Sequence, residues 1–198
     1  SRRPRESATG SGEDPITGQN YMDLFYSEQD KKGRWSTPEP LNSTINTSSN
    51  EGTVTFDKKY KKIYFTRCVS DDESSFACDL YRADAMGNRY GPAEVVELID
   101  RDSNDSSQVG HPSFTTDNKF LMFVSDMPGG QGGKDLWYVS YDSKEDAFGS
   151  PVNMGPNVNT AGDEMFPTMR FDGALIYSSS GKGGMGGLDI FQAIPGTG

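Results

Sequence analysis

The sequence predicts an all-β fold built from repeated units of four short antiparallel strands. Three observations support this prediction. A phrase of Asp, an aliphatic and an aromatic residue occurs four times, with its Asp at 23, 79, 135 and 189, so that the spacings are 56, 56 and 54 residues. Between the phrases lie short runs rich in Phe, Tyr, Val, Ile and Thr, bounded by Gly, Pro, Asn and Asp, as is typical of strands. No segment shows a sustained helical period with caps, so we expect essentially no helix.

Each repeat predicts the same series of elements. In the middle of the chain the strands are expected at 111–116, 119–125, 134–140 and 150–154. Asp, Asn and Gly tolerate the dihedrals of tight turns, which we expect at 57–59, 116–118 and 172–173. An aromatic-then-Pro turn precedes the last strand of three repeats, at Trp35-Ser36-Thr37-Pro38, Tyr90-Gly91-Pro92 and Phe148-Gly149-Ser150-Pro151.

A polar phrase and a glycine-rich loop complete the repeat. The polar phrase reads Asn46-Thr47 to Asn50-Glu51 in one repeat and Asn159-Thr160 to Asp163-Glu164 in another. The middle repeat departs from it, with the stretch 100–105 in its place and Val109 where Glu is expected. Glycine loops run from Gly129 to Gly133 and from Gly183 to Gly187. We expect the Asp of each three-residue phrase to be a hydrogen-bonding turn residue, and its aromatic neighbour to pack between units.

Four-stranded units of about 40–50 residues are the sequence mark of a β-propeller. A β-sandwich also has many short strands, but it does not explain the recurrence. We therefore predict a partial propeller of four-stranded antiparallel blades, about two complete and two partial. Residues 1–20 would be a loop or stub of a preceding blade. The propeller repeats at 21–198 would divide into a half blade at 21–50, blades at 51–107 and 108–163, and a partial blade at 164–198. Closure typically needs four or more blades, so this division predicts a segment of a longer propeller.

The aromatic-Gly/Ser-x-Pro turn, the polar phrase and the glycine loop resemble a known class. They are similar to the WD-repeat-like, TolB-type propeller repeats of OmpA-family envelope proteins of Bacteroidetes (PorE-like). The best match runs from Asp135 to Asp189, with Glu164-Met165-Phe166-Pro167 and Phe171-Asp172-Gly173 in the places of family elements. The resemblance implies a periplasmic, outer-membrane-associated scaffold of a type IX secretion and gliding apparatus. It also implies peptidoglycan contact through an OmpA-like flanking domain that this sequence does not contain.

The composition excludes several partners. The chain has 19 Lys and Arg against 29 Asp and Glu, a formal net charge of −10. A surface for nucleic acid or for an anionic membrane is expected to be basic. The longest apolar run, from Phe120 to Val124, is far too short to span a bilayer. We therefore expect no nucleic-acid partner and no direct membrane insertion.

The two cysteines predict a disulfide. Cys68 ends one predicted strand and Cys78 begins the next, so that an antiparallel hairpin would place them opposite each other. Such a bond indicates an oxidising compartment such as the periplasm. Two buried free thiols in a strand pair are the alternative.

No catalytic set stands out in the sequence, and we expect no catalysis in this chain. The single histidine, His111, is expected to serve packing or hydrogen bonding rather than to act as a base. Zinc needs more His and Cys ligands than the chain supplies, so no metal site is assigned and no cofactor is expected. A calcium site is the one alternative that the sequence leaves open. Hard cations bind oxygen donors, and carboxylates lie around the glycine loops at Asp126, Asp135, Asp163-Glu164 and Asp189.

The function that this pattern favours is a non-catalytic scaffold that binds a protein of the cell envelope. Recognition residues concentrate on loops carried by a rigid scaffold. We expect the partner to contact the loops between second and third strands, at Met127, Gln131, Lys134, Lys182 and Met185. One alternative is glycan or peptidoglycan binding, with Trp35, Trp137 and Tyr21 as stacking residues. Another is the propeller domain of a hydrolase whose catalytic domain is absent from this sequence.

Overall fold

The computed structural model describes residues 20–70, 76–100 and 106–196. All regular structure in these ranges is β and antiparallel, so the predicted all-β class is confirmed. Most of the predicted stub at 1–20, and the stretch 101–105 of the divergent repeat, lie outside the described residues. No helix of the described ranges has the length and apolar character that crossing a membrane requires.

The strands of the described residues form four sheets. Sheet 1 contains β1 (Phe25–Tyr26) and β2 (Glu39–Pro40). Sheet 2 contains β3 (Asn50–Phe56), β4 (Lys62–Ser70), β5 (Phe76–Met86), β6 (Arg89–Tyr90) and β7 (Glu94–Val95). Sheet 3 contains β8 (Val109–Phe114), β9 (Phe120–Ser125), β10 (Asp135–Asp142), β11 (Ala147–Phe148) and β12 (Val152–Asn153). Sheet 4 contains β13 (Glu164–Met169), β14 (Leu175–Ser179) and β15 (Asp189–Ala193).

Sheets 2 and 3 are meanders whose fourth strand is broken into two pieces. In sheet 3, β11 pairs with the last two residues of β10, and β12 pairs with β10 nearer its middle, at Trp137 and Tyr138. In sheet 2, β6 and β7 pair with β5 in the same way. The break falls at Gly91-Pro92 and at Gly149 to Pro151, where a proline cannot donate a ladder hydrogen bond. The predicted fourth strand at 150–154 is therefore shorter than expected and is preceded by a separate piece.

The first strand of each larger sheet contains a bulge at the same repeat position. The register shifts after Gly52 in β3, after Gly110 in β8 and after Met165 in β13. At these shifts Thr53, His111 and Phe166 have φ of 39°, 51° and 56°. An extra residue bends a strand and increases its twist locally. The three first strands also contact one another, β8 lying against both β3 and β13.

Apolar residues alternate along the central strands, and both faces of these strands are buried. In β9, Leu121 and Phe123 join a cluster shared with sheet 2, while Met122 and Val124 join a cluster shared with sheet 4. In β4, Tyr64 faces sheet 3, whereas Ile63 and Phe65 pack with residues of the sheet 1 segment. A two-sheet sandwich would bury one face of each sheet. Sheets 2 and 3 bury both, because each has a neighbouring sheet on either side.

A disulfide joins Cys68 in β4 to Cys78 in β5. The two residues are direct cross-strand partners in the ladder. The predicted pairing is therefore confirmed, and the alternative of two free thiols is wrong. The bond closes the connection between second and third strands of sheet 2, the place that the glycine loops take in sheets 3 and 4.

Candidate functional site

The connections between strands lie at two opposite ends of the sheets. The tight turns at 57–61, 115–119, 143–146 and 170–174 form one end, which we name the turn end. The longer connections at 126–134, 154–163 and 180–188 form the other, which we name the loop end. All five predicted partner-binding residues belong to the loop end: Met127, Gln131, Lys134, Lys182 and Met185.

The polar phrase holds the loop end together, and Asn159 is its first anchor. The Asn159 side chain lies across the edge of β10, accepting the N–H of Leu136 at 2.9 Å and donating to the Leu136 carbonyl at 3.0 Å. It also donates to Oδ1 of Asn153 at 2.9 Å. This buried amide gives the Leu136 N–H an acceptor, whereas the Leu136 carbonyl also accepts the Met154 N–H just after β12, at 3.1 Å.

Asp163 and Glu164 are the second anchor, and they connect sheet 4 back to sheet 3. Asp163 Oδ1 accepts the N–H of Lys134 at 2.9 Å, and the Glu164 N–H donates to the Lys134 carbonyl at 2.6 Å. The Glu164 carboxylate is fully buried and accepts the hydroxyls of Thr160 at 2.6 Å and Ser179 at 2.5 Å. Both the N–H and the carbonyl of Lys134, the residue just before the Asp phrase, are therefore hydrogen-bonded to sheet 4.

The same bonds recur between sheets 1 and 2. Asn46 accepts the N–H of Leu24 at 2.9 Å and donates to its carbonyl at 2.9 Å. Asn50 accepts the Met22 N–H at 2.9 Å, and the Glu51 N–H donates to the Met22 carbonyl at 2.9 Å. We name this repeated set the clasp: Asn46, Thr47, Asn50 and Glu51 in one repeat, Asn159, Thr160, Asp163 and Glu164 in the other. Sequence reasoning found the phrase but not this function, because its partners lie in the preceding sheet.

The buried glutamate of the clasp accepts the clasp Thr hydroxyl in both repeats, but its second partner differs: Ser179 for Glu164 and Arg67 for Glu51. Glu51 Oε1 accepts the hydroxyl of Thr47 at 2.6 Å and faces the guanidinium Nε of Arg67 at 3.0 Å. Burial raises the pKa of Glu51, and the hydrogen bond of Thr47 and the charge of Arg67 oppose that rise. Arg67 in turn lies over the ring of Tyr81, 4.5 Å from its centroid. The Glu51 carboxylate is thus buried together with the polar groups of Thr47 and Arg67 that bind it.

Some glycines at the loop end are required by the close approach of neighbouring backbones. A Cβ on Gly132 would lie 2.4 Å from the Thr160 carbonyl oxygen and from the Ala161 carbonyl carbon. A Cβ on Gly162 would lie 2.6 Å from the Gly181 nitrogen. The loops at 126–134 and 180–188 therefore pack against either side of the segment 160–163. Glycine is required here so that backbones can meet, not in order to bind a ligand.

The Asp of the repeated phrase closes its own glycine loop, as predicted. Asp135 is fully buried and its Oδ2 accepts the N–H of Gln131 and the amide of Asn153. In sheet 4, Asp189 Oδ2 accepts the N–H of Met185 at 2.8 Å and that of Gly186 at 3.3 Å. Each loop is thus pinned by the carboxylate that follows it.

The five predicted contact residues differ in how far they reach solvent. Met185 is fully exposed and Gln131 is exposed, both at the tips of pinned loops. Lys134 and Lys182 are half-buried, with their ammonium groups near the Gln108 side-chain oxygen at 3.5 Å and the Asn157 carbonyl at 3.3 Å. Met127 is half-buried and packs against the core shared by sheets 2 and 3. Only Met185 therefore presents the exposed thioether that was expected of both methionines.

Two of the three residues expected to stack on a glycan are buried. Trp137 is 6 % exposed, and its indole N–H donates to the Ser125 carbonyl at 3.2 Å. Tyr21 is 8 % exposed, which leaves Trp35, 68 % exposed in the turn before β2, as the one open ring of the three. Trp137 instead packs between sheets 2 and 3, the role predicted for the aromatic residue of the phrase.

His111 stands at the bulge of β8 and contacts β4 of sheet 2 and β13 of sheet 4. Its N–H donates to the Thr66 hydroxyl at 2.8 Å, and its ring stacks on Phe166 with centroids 4.2 Å apart. Its Nδ1 accepts the N–H of Phe166 at 3.4 Å. Burial, together with the positive charge of Lys134, lowers the pKa of His111 to about 4. These contacts give the imidazole a packing and hydrogen-bonding role.

The carboxylates considered for calcium are occupied by hydrogen bonds to the protein. Besides Asp135, Asp163, Glu164 and Asp189, Asp126 Oδ1 accepts the N–H of Gln108 at 2.7 Å. Within the described ranges no three His, Cys, Asp or Glu side chains come together as a metal site. These carboxylates accept hydrogen bonds from backbone and side-chain groups of the protein.

No protein-family model matches the chain, and no curated protein matches it. It is similar to solved β-propeller-like structures. Luciferin-regenerating enzyme is 11 % identical, with a TM-score of 0.48 over 80 % of this chain and 50 % of that one. A puromycin hydrolase is 17 % identical, with a TM-score of 0.46 over 80 % of this chain and 24 % of that one. A puromycin-hydrolysing peptidase of Mycobacterium tuberculosis is 11 % identical, with a TM-score of 0.48 over 89 % of this chain and 27 % of that one. This chain thus spans half or less of each, and TM-scores below 0.5 carry no argument about its function.

The glycine contacts predict unequal effects of two alanine substitutions. Gly132→Ala should lower the free energy of unfolding by about 1–3 kcal/mol, because the new Cβ meets backbone that cannot yield easily. Gly183→Ala is the matched control, since a Cβ there meets nothing within 4 Å and Gly183 does not have a positive φ. Urea denaturation of both variants measures the difference. Equal stabilities of the two variants would contradict the close packing of the loop on 160–163.

The low pKa of His111 predicts a pH dependence of stability. The unfolded chain takes up this proton near pH 6.5, whereas the folded chain does so only near pH 4, so stability falls as the pH drops through that window. His111→Asn keeps an acceptor and tolerates the positive φ, but it removes the titration. From about pH 7 to about pH 4.5, the original chain should lose about 2–3 kcal/mol more than the variant. Parallel stability profiles of the two proteins would show that the imidazole is not shielded.

Proposed function

We propose that this chain forms part of a β-propeller and acts as a non-catalytic module that binds a protein partner through its loop end. The observation that carries the proposal is the unequal burial of the aliphatic residue of the Asp phrase in three of the sheets. Leu80 in sheet 2 and Leu136 in sheet 3 are each 0 % exposed, whereas the equivalent Ile190 in sheet 4 is 78 % exposed.

The difference follows from what covers each residue. Leu136 is buried because Leu175 and Tyr177 of sheet 4 pack over its face of sheet 3. Leu80 is likewise buried in the cluster that sheet 3 completes with Phe123 and Trp137. Ile190 has the same place in its own sheet but no described sheet beyond it. An exposed apolar face at a position that is otherwise buried indicates an interface. The face of sheet 4 is therefore suited to a further sheet of the same kind, as in a propeller.

The recognition role rests on the loops at 126–134 and 180–188. The clasp and the carboxylates of Asp135 and Asp189 hold the loops in one conformation, which lowers the entropy cost of binding. Their tips carry Gln131 and the fully exposed Met185. An exposed methionine is an adaptable apolar contact for a protein surface. Lys134 and Lys182 add positive charge close to both tips.

The proposal extends to an oxidising compartment. Disulfides persist in the periplasm and outside cells but are rare in the cytosol, and Cys68–Cys78 is such a bond. A periplasmic, outer-membrane-associated location and membership of a type IX secretion complex are finer proposals, and they rest on the sequence resemblance alone. Peptidoglycan contact through a flanking domain rests on that resemblance as well.

A propeller domain attached to a hydrolase is the second candidate function. Two of the similar structures are puromycin-hydrolysing enzymes, and this chain spans about a quarter of each. In that case the loop end would face a catalytic domain of the same polypeptide rather than a separate protein. Direct glycan binding has one exposed ring in its favour, Trp35.

Site-specific photocrosslinking tests the partner-binding proposal. A photoreactive amino acid replaces Met185 at the loop end or, in the matched control, Tyr60 at the turn end, which is 74 % exposed. After illumination with an envelope extract, we expect one saturable protein adduct from position 185 and none from position 60. The adduct should be lost when Gln131 is replaced by Glu, because the two tips would share one interface.

Other outcomes would redirect the proposal. An adduct only from position 60 would overturn binding at the loop end. Retention on peptidoglycan that depends on Trp35, without a protein adduct, would favour the glycan alternative. A crosslink to a hydrolase domain of the same polypeptide, with amidase activity in that polypeptide, would establish the second candidate.

A further inference from the structure

A cleft at the turn end gathers half of the lysines of an acidic chain. It lies between the turn 57–61 of sheet 2 and the turns 115–119 and 143–146 of sheet 3, with Tyr141 among its lining residues. Five of the ten lysines line it: Lys58, Lys59, Lys61, Lys62 and Lys119. We name it the lysine cleft. Its walls belong to two sheets in direct contact, so it does not depend on closure of a propeller or on the proposed function.

The acidic groups of the cleft are already engaged by the protein. Asp146 pairs with Lys62 at 3.0 Å and with Arg82 at 3.1 Å, and it accepts the Tyr141 hydroxyl at 2.8 Å. Burial alone would raise the pKa of Asp146, but the hydrogen bonds of Tyr141 and Lys62 and the charge of Arg82 lower it. Asp57 Oδ1 accepts the backbone N–H groups of Lys61 and Lys62 at 2.6 and 2.8 Å.

The third carboxylate, Asp117, is engaged in its own turn. It accepts the Thr115 hydroxyl at 2.7 Å and the Lys119 N–H at 3.1 Å, and these bonds lower its pKa. The Lys119 ammonium lies 3.7 Å from it, with both side chains largely exposed. Such an exposed ion pair contributes little to stability, so the Lys119 ammonium can exchange Asp117 for an anion that binds it more strongly.

Three ammonium groups of the cleft have no counterion among the residues that the structure describes. Lys58, Lys59 and Lys61 are exposed, and no carboxylate of the described residues lies within 4.0 Å of their nitrogen atoms. They follow one another within a single tight turn, which is fixed by Asp57 and by the bond from the Lys58 N–H to Asn118 Oδ1 at 2.7 Å. A rigid turn thus holds three positive charges close together, which is unfavourable without an anion.

The charge of the remaining chain limits the size of that anion. The protein has a net charge of −10, so the surface outside the cleft is strongly acidic. A long polyanion or an anionic membrane would extend beyond the cleft and meet this negative potential within a Debye length of about 10 Å. An anion confined to the cleft would be attracted by the lysines alone.

The donor types favour phosphate over carboxylate. A carboxylate is best matched by the planar fork of arginine, and the nearby Arg82 is already bound to Glu94 and Asp146. Lysine binds phosphate as a point charge, from any side of a tetrahedral group. We propose that the lysine cleft binds a compact polyanion, a small molecule that carries two or more phosphate groups.

Isothermal titration calorimetry with tripolyphosphate tests the proposal on the intact chain. We expect saturable binding that weakens as salt is raised. Lys58→Gln/Lys61→Gln should weaken binding on the order of tenfold or more, since two charged contacts are lost. Lys31→Gln/Lys32→Gln removes the same charge from exposed positions outside the cleft and should change the affinity less than about twofold. All four lysines are exposed on turns, so thermal melts should show both variants folded.

Each alternative result is informative. No binding at about 1 mM tripolyphosphate, or equal losses in the two double variants, would overturn the site, because only bulk charge would then matter. Citrate that binds more tightly than tripolyphosphate would overturn the phosphate assignment. Heparin or vesicles with anionic lipid that bind more tightly than tripolyphosphate would show an extended polyanion surface instead of a compact site.

Discussion

The structure depends on satisfying the backbone polar groups at the seam between one sheet and the next. Buried N–H and C=O groups without partners are costly. In sheet 3 the fourth-strand segment supplies the Met154 N–H to the Leu136 carbonyl, but the Leu136 N–H needs another acceptor. The clasp supplies such partners from the following repeat. An Asn side chain binds the backbone of the aliphatic residue of the Asp phrase. An Asn or Asp side chain, together with the Glu N–H, binds the backbone of the residue before the phrase. In sheets 1 and 3 this bonding connects the phrase, and the residue before it, to the following sheet.

The seam between sheets 2 and 3 uses different chemistry for the same purpose. Val109 stands where the other seams have Glu, and it packs in the apolar cluster between the two sheets. Polar links are made elsewhere, by the His111 N–H to Thr66 and by Arg82 and Lys62 to Asp146. The disulfide closes the sheet 2 connection where sheets 3 and 4 have glycine loops. At this seam an apolar contact of Val109 thus stands where the other seams have a buried glutamate.

Features encoded by local sequence could be predicted, and those that depend on another sheet could not. The bounds of the strands expected at 111–116, 119–125 and 134–140 differ by at most two residues from those of β8, β9 and β10. The disulfide and the tight turns follow from residues near one another in the chain. The partial burial of Met127 does not, because it packs against the core shared by sheets 2 and 3. The lysine cleft likewise joins turns about 60 residues apart, which no local pattern brings together.

Hydrogen exchange at the clasp tests this account most directly, since each clasp bond protects an identifiable amide. The Leu136 N–H donates to the Asn159 side chain at 2.9 Å and lies in a buried seam. If the clasp fixes the sheets, Leu136 and Glu164 amides exchange as slowly as those of the core strands, with protection near the global free energy of unfolding. Replacing Asn159 by Ala should then speed exchange at Leu136 and at Lys134. Exchange at Leu136 as fast as at the exposed loop residue Gly183 would contradict the claim that the clasp sets the arrangement of the sheets.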